Sequence, residues 1–247
     1  MYIGLKYQIS LFGNYAEISP NPETVKYFLD QFSVKGFIPN TQNEINIVFG
    51  TNPSLNQNTS TQRLRLSNSD GSWNINFGSG RIDFILTNIN IDVFKMLDFD
   101  TFIDESKDYI KKISQKFSNK HRRIGIVTDY LLFEPIEGLQ KKFNRSIPFF
   151  EERQLQEWTC NVSAKEKVDN NETLNVISTV RKIKMPIFKN SKQMIFDGVH
   201  ISFDSNTVDE NKNYRFDQSN IDINIDNIVT VLNRISAETF KFVEQDE

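Results

Sequence analysis

An α+β fold built mainly on antiparallel sheet is the class this 247-residue sequence predicts. Three observations lead there. Short runs with period-2 alternation of apolar and polar residues recur along the chain. The turns between them are hairpin-sized, such as Ser69-Asp70-Gly71 and Gly78-Ser79-Gly80, where a parallel sheet would require helical crossovers. Three longer segments carry helical spacing instead, and the last of them, near the C-terminus, is the longest.

The first run sets Ile3, Leu5, Tyr7, Ile9 and Leu11 against Gly4, Lys6, Gln8 and Ser10, which predicts a strand buried on one face. Ser19-Pro20-Asn21-Pro22-Glu23 opens a helix: Asn21 can cap it, Pro22 suits the first turn, and Glu23 complements the dipole. Val25, Phe28, Leu29 and Phe32 form its stripe, and Gly36 suits its stop. Ile45, Ile47 and Phe49 predict a short strand before an exposed loop within 40–60. Leu64 and Leu66, then Trp73, Ile75 and Phe77, then Ile82, Phe84 and Leu86 predict a three-stranded meander. A second helix runs from about Asp100 to Asn119, with Phe102, Tyr109, Ile110, Ile113 and Phe117 inward.

Arg123 to Phe133 is apolar on both faces, as expected of a strand under helices. Residues 134–153 read as irregular. Trp158, Cys160 and Val162 alternate, Leu174 to Val180 alternate back, and Val199, Ile201 and Phe203 end a second β block before a polar loop at 204–220. Ile225, Ile228, Val229, Leu232, Ile235, Phe240 and Val243 mark the closing helix, with Asp222 or Asp226 as its cap. The chain reads as one domain, 1–247, or as two packed halves, 1–133 and 134–247. Both halves run from strands to a helix, without a recognisable sequence repeat.

Composition narrows the function classes. Apolar residues make up 38% of the chain, including 21 Phe, which is ample for a large core. A net charge of −3 neither draws nor excludes nucleic acid. The single cysteine, Cys160, rules out an internal disulfide framework and points to a reducing compartment. No run approaches ~18 apolar residues, so we expect a cytoplasmic protein with no membrane span.

Chemistry is sparse. With only His121 and His200, catalytic triads and His-rich metal sites are hard to build. The plain reading of His121 is a cation after a helix C-terminus, and that of His200 a solvent-facing or structural residue on a polar strand face. Cys160 shares a face with Trp158 and Val162 and reads as a small core residue. Phosphate-loop, dinucleotide and nucleophile-elbow motifs are absent, so no cofactor is expected. Asp204 to Asn211 invites comparison with a calcium loop but lacks the required Gly, and Arg215 stands where the final Glu should be; no metal is expected there.

Three carboxylates, Asp83, Asp129 and Glu134, could serve a metal-dependent nuclease or other hydrolase. The alternative is a buried Asp129 paired with Arg81 or Arg123. Lys111, Lys112, Lys116, Lys120, Arg122 and Arg123 form the densest basic cluster and could bind nucleic acid, although Asp104, Glu105 and Asp108 dilute it.

The passage from Arg65 to Trp73 into Gly80-Arg81-Ile82-Asp83-Phe84, the segment Arg123-Ile124-Gly125-Ile126-Val127-Thr128-Asp129-Tyr130, and Phe203-Asp204 leading to the closing helix with Phe240 together resemble a sporadically distributed bacterial family of about 250-residue proteins of unknown function. The resemblance implies a mobile or antiviral-defence genomic setting and nothing about reaction. With two histidines, one cysteine, no motif and plentiful apolar strand and aromatic content, the function expected is a non-catalytic binding or assembly subunit of a bacterial multi-protein complex. It would work with a protein partner or as a homo-oligomer, with hydrolase and nucleic-acid-binding alternatives left open.

Overall fold

The computed structural model of the chain describes residues 2–48, 57–91, 95–133, 138–143, 148–151, 153, 155–168 and 172–244. Its alternating segments form nine strands: β1 (Tyr2–Gly13), β2 (Ile38–Val48), β3 (Gln57–Ser67), β4 (Trp73–Phe77), β5 (Arg81–Thr87), β6 (His121–Leu132), β7 (Trp158–Lys167), β8 (Thr173–Lys189) and β9 (Lys192–Thr207). They make one sheet in the order β2-β3-β4-β5-β1-β6-β9-β8-β7, with every neighbouring pair antiparallel. The helices are α1 (Pro22–Phe32), α2 (Phe99–Lys116), α3 (Leu139–Phe143), α4 (Pro148–Glu151) and α5 (Ile221–Glu244). The two beyond the expected three are short and lie within the stretch read as irregular.

The chain traces one path twice. It lays down β1, crosses α1 to the far edge, steps back inward through β2, β3, β4 and β5 until β5 pairs with β1, then covers the sheet with α2. It then lays down β6, crosses α3 and α4 to the other edge, and steps inward through β7, β8 and β9 until β9 pairs with β6, before α5 covers that side. The two circuits meet where β1 pairs with β6.

Helix ends follow local chemistry. Asn21 accepts the Thr24 N–H, with Pro22 in the first turn, and Gly36 ends the following turn at φ 77°, a conformation that costs a residue with Cβ. Asp98 caps α2 through the Thr101 N–H. The closing helix begins at Ile221, so Asp222 lies inside its first turn and Asp226 one turn further in, where it meets Lys107; neither is the cap.

The apolar stripes of α1, α2 and α5 bury Phe28, Phe102, Tyr109, Ile225 and Ile228 against one face of the sheet, in a core with Ile9, Leu66, Phe77, Phe84, Ile126 and Phe203. Each such side chain gains roughly 1.5–3 kcal/mol by leaving water. Aromatic contacts tie the layers together: Trp73 stacks on Phe102 at 5.1 Å, and Tyr2 stacks on Phe240 at 4.2 Å.

A bulge divides the first strand's alternation. Gly4 pairs with Tyr130 and Lys6 with Asp129, so one residue is extra and the phase shifts. Tyr7, Ile9 and Leu11 face the helices as expected, but Ile3 and Leu5 join a second cluster, with Leu131, Ile91, Ile187 and Phe196. That cluster is sealed by an arm, the far part of the β8–β9 hairpin (Ile183–Gly198), which extends past the residues paired with β7 and β6. The arm's Phe188 carbonyl accepts the Ile91 N–H, so the second circuit reaches back to the loop following β5.

The remaining corrections follow from strand position. Val162 is exposed and Cys160 only partly buried, because β7 is an edge strand; Cys160 is not a core residue. Ile45 is exposed on the opposite edge, in a β2 longer than the short strand expected. The polar loop starts at 208, since Asp204 to Thr207 complete β9. No described helix is long and apolar enough to cross a membrane.

Candidate functional site on the face opposite the helices

The helices pack on one side, and the other face of the sheet carries polar side chains in cross-strand rows. One row follows the register Asn76, Asp83, Ser10, Gly125, Asn206, Asn175 and Lys165 across seven strands. A parallel row holds Lys6, Asp129, Ser202 and Thr179.

Asp83 and Asp129 both stand on this face, on either side of β1. Asp83 pairs opposite Ser10 and Asp129 opposite Lys6, two strand spacings and four residues apart. At ~4.8 Å per strand and ~3.3 Å per residue their Cα atoms lie about 16 Å apart, beyond the reach of one shared ion. Glu134 lies outside the described residues. No group of three or more His, Cys, Asp or Glu that could hold a metal occurs among the described residues.

Each carboxylate is also committed to neighbours. Asp83 takes Arg81 Nε at 2.8 Å, the Ser10 hydroxyl at 2.6 Å and the Gln8 amide at 3.1 Å. Asp129 takes Lys6 Nζ at 3.1 Å and faces His200 Nε2 at 3.5 Å. Its buried pairing is therefore with Lys6 and His200, and not with Arg81 or Arg123. Burial pushes the Asp129 carboxyl up, but hydrogen bonds from His200 and Ser202 and the Lys6 charge outweigh it and hold the group at about 2.

His200 is buried, so the solvent-facing half of its reading falls. Arg181 Nε donates to its Nδ1 at 3.1 Å, which places the ring proton on Nε2 toward Asp129. Both nitrogens are engaged, so His200 is part of a chain from Arg181 through Asp129 to Lys6.

His121 is also buried, and it is not the cation expected at a helix end. Its Nδ1 lies 2.5 Å from the Tyr15 hydroxyl, and its backbone exchanges hydrogen bonds with Phe216 in the loop before α5. Burial, only partly offset by the Asp217 charge, lowers its pKa to about 4.

The basic residues divide between the two faces. Lys112 pairs with Asp108, Lys116 with Glu23 and Lys120 with Asp217, while Lys111 is exposed. Arg122 gives its carbonyl to Arg215. Arg123 lies across the sheet from α2. Its guanidinium sits 4.9 Å from the Phe12 ring centroid, and Nη2 donates to Asn206 Oδ1 at 2.8 Å.

Arg123 helps line a concavity of about 370 Å³ with Ser163, Ala164, Lys165, Asn175, Ile177, Asp204 and Asn206. Sequence reading missed Asp204 and Asn206, which it placed in a loop. Their period-2 spacing after Phe203 continues the strand and was the available signal. Asn206 Nδ2 donates to Asp204 at 2.8 Å, and Asn175 donates to Asn206 Oδ1 at 3.1 Å. Burial raises the Asp204 pKa, against the Asn206 hydrogen bond and the Arg123 charge.

Comparison with protein-family models, curated proteins and solved structures finds no match to this chain.

Proposed function

We propose that this chain is a non-catalytic binding or assembly subunit working with a protein partner in the bacterial cytoplasm, with self-association as a compatible sub-case. The observation that supports this reading is the outer face of the β8–β9 arm. Pro186 stands opposite Ile195, with Phe188 two residues further along β8 on the same face and diagonal to Ile195, and Phe188 and Ile195 are 54% and 62% exposed. The arm's other face already fills the second apolar cluster. A two-stranded arm apolar on both sides, with one side in water, is the pattern of a contact surface. Lys184 and Asp197, paired at 3.1 Å, supply a polar rim beside it. The engagement of Asp83 and Asp129 by internal partners also favours contact over hydrolysis.

The test is affinity capture of the tagged wild type and of a Phe188→Ser/Ile195→Ser variant from native cells, with light scattering of both. A stoichiometric partner, or a dimer, that is lost in a variant of unchanged melting temperature supports the reading. A wild-type monomer that recovers nothing refutes it. Metal-dependent hydrolysis abolished by Asp83→Asn or Asp129→Asn would replace it with the hydrolase reading.

A further inference from the structure

The concavity beside β7 holds two opposite charges that do not meet each other. Among the described residues, no carboxylate lies within ion-pair distance of Arg123 and no cation within that distance of Asp204. Several other ionised groups on the same face are paired, Asp83 with Arg81, Asp129 with Lys6, and Lys165, on the rim, with Glu210. Arg123 spends one Nη on Asn206, and its Nε is buried without a hydrogen-bond partner. A single side-chain amide, that of Asn206, stands between guanidinium and carboxylate, accepting from one and donating to the other at 2.8 Å each. The charged groups are thus no more than about 8 Å apart along that bridge.

The floor around this pair is built to stay open. Gly125 is the register partner of Asn206, and a Cβ there would come within 3.3 Å of the Asn206 Cβ, so a larger residue would displace the bridge. Ile177 gives the lining an apolar side. The volume, about 370 Å³, lies within the range of sites for small molecules.

A molecule that suits such a floor carries an anion for Arg123 and a cation for Asp204, separated by two or three bonds like the ends of the Asn206 amide. We propose that this concavity binds a small zwitterion of the free α-amino acid class, its carboxylate on Arg123, its ammonium on Asp204, and a short aliphatic side chain against Ile177. This rests on a different surface from the arm and stands or falls independently of the assembly reading. No bond is made or broken; the site senses or carries its ligand.

Calorimetric titration of the full chain with L-alanine, L-valine and L-leucine tests it. At least one should bind with a Kd below about 1 mM, whereas acetate and ethylamine, which carry one charge each, should bind at least ~10-fold more weakly. Asp204→Asn and Arg123→Gln should each weaken binding ~10-fold or more, and Asp83→Asn, outside the concavity, should leave it unchanged. No heat from any of the three at about 10 mM, or acetate or ethylamine binding as well as the amino acids, overturns the proposal. The single-charge probes are read on the wild type, so the outcome stands even if a variant fails to fold.

Discussion

Lowering the pH should weaken this protein before its carboxylates titrate, and His121 is the reason. The imidazole is buried beside Tyr15, and its pKa is lowered from 6.5 to about 4 by burial. Unfolded, the same ring takes a proton near 6.5. Between those values the unfolded state binds more protons than the folded one, so stability rises with pH across the window. The contribution is complete above about pH 6.5 and is lost as pH falls toward 4. The shift of ~2.5 units corresponds to about 3 kcal/mol in all, of which about 2 kcal/mol disappears between pH 7 and pH 5. That is a large share of a typical ~5–15 kcal/mol stability. Urea unfolding, followed by the fluorescence of the buried Trp73 and Trp158, measures it at pH 7, 6 and 5. The chain has only two histidines, so the His121 ring signal in a proton spectrum is assigned by a His200→Gln variant. A stability that stays flat from pH 7 to pH 5, or a His121 ring that titrates near 6.5, would refute the argument.

Two further outcomes follow from packing and pairing. Gly198→Ala should cost about 1–3 kcal/mol in urea unfolding, because its Cβ would lie 2.6 Å from the Phe196 ring and 2.7 Å from the Leu132 carbonyl oxygen; hydrogen exchange should be fastest across 183–198, and an unchanged midpoint would mean the arm bends elsewhere. Asp129→Asn should cost about 2 kcal/mol at pH 7, and the difference from wild type should vanish as pH falls from about 4 to about 2, since the folded carboxyl titrates at about 2; a difference that persists at pH 2 would locate the effect in packing instead.

Much of this fold is legible in local pattern. Alternation located Trp73–Phe77 and Arg81–Thr87, and capping chemistry located Asn21 with Pro22. What was not legible depends on partners distant in sequence. The bulge that turns Ile3 and Leu5 to the other face exists only because β6 lies alongside β1, and nothing in residues 3–11 announces it. The arm hides because both its faces are apolar: Ile183, Met185 and Ile187 point to one side, Pro186 and Phe188 to the other, so the alternation fades. Its tip, Asn190-Ser191, takes positive φ at both residues and carried the stronger signal, since Asn tolerates that region.

The site followed the same division. Asp83 and Asp129 were identifiable as strand carboxylates, but Lys6 and His200 as partners of Asp129 required the register of three strands. Asp204 and Asn206 were assigned to a loop because polarity usually marks one. Here it marks the side of the sheet without helices.

The seam between β1 and β6 also shapes how the chain comes into being. β1 is made first, yet β5 does not begin until Arg81 and β6 not until His121. One edge of β1 therefore waits through about a hundred residues of synthesis with its backbone groups unpaired, the condition in which growing chains stick to one another. The strand carries its own defence for that interval. Lys6 puts a charge on its surface, which disfavours pairing with another chain. The same side chain later receives Asp129, so one residue guards the nascent chain and then helps to close the finished sheet.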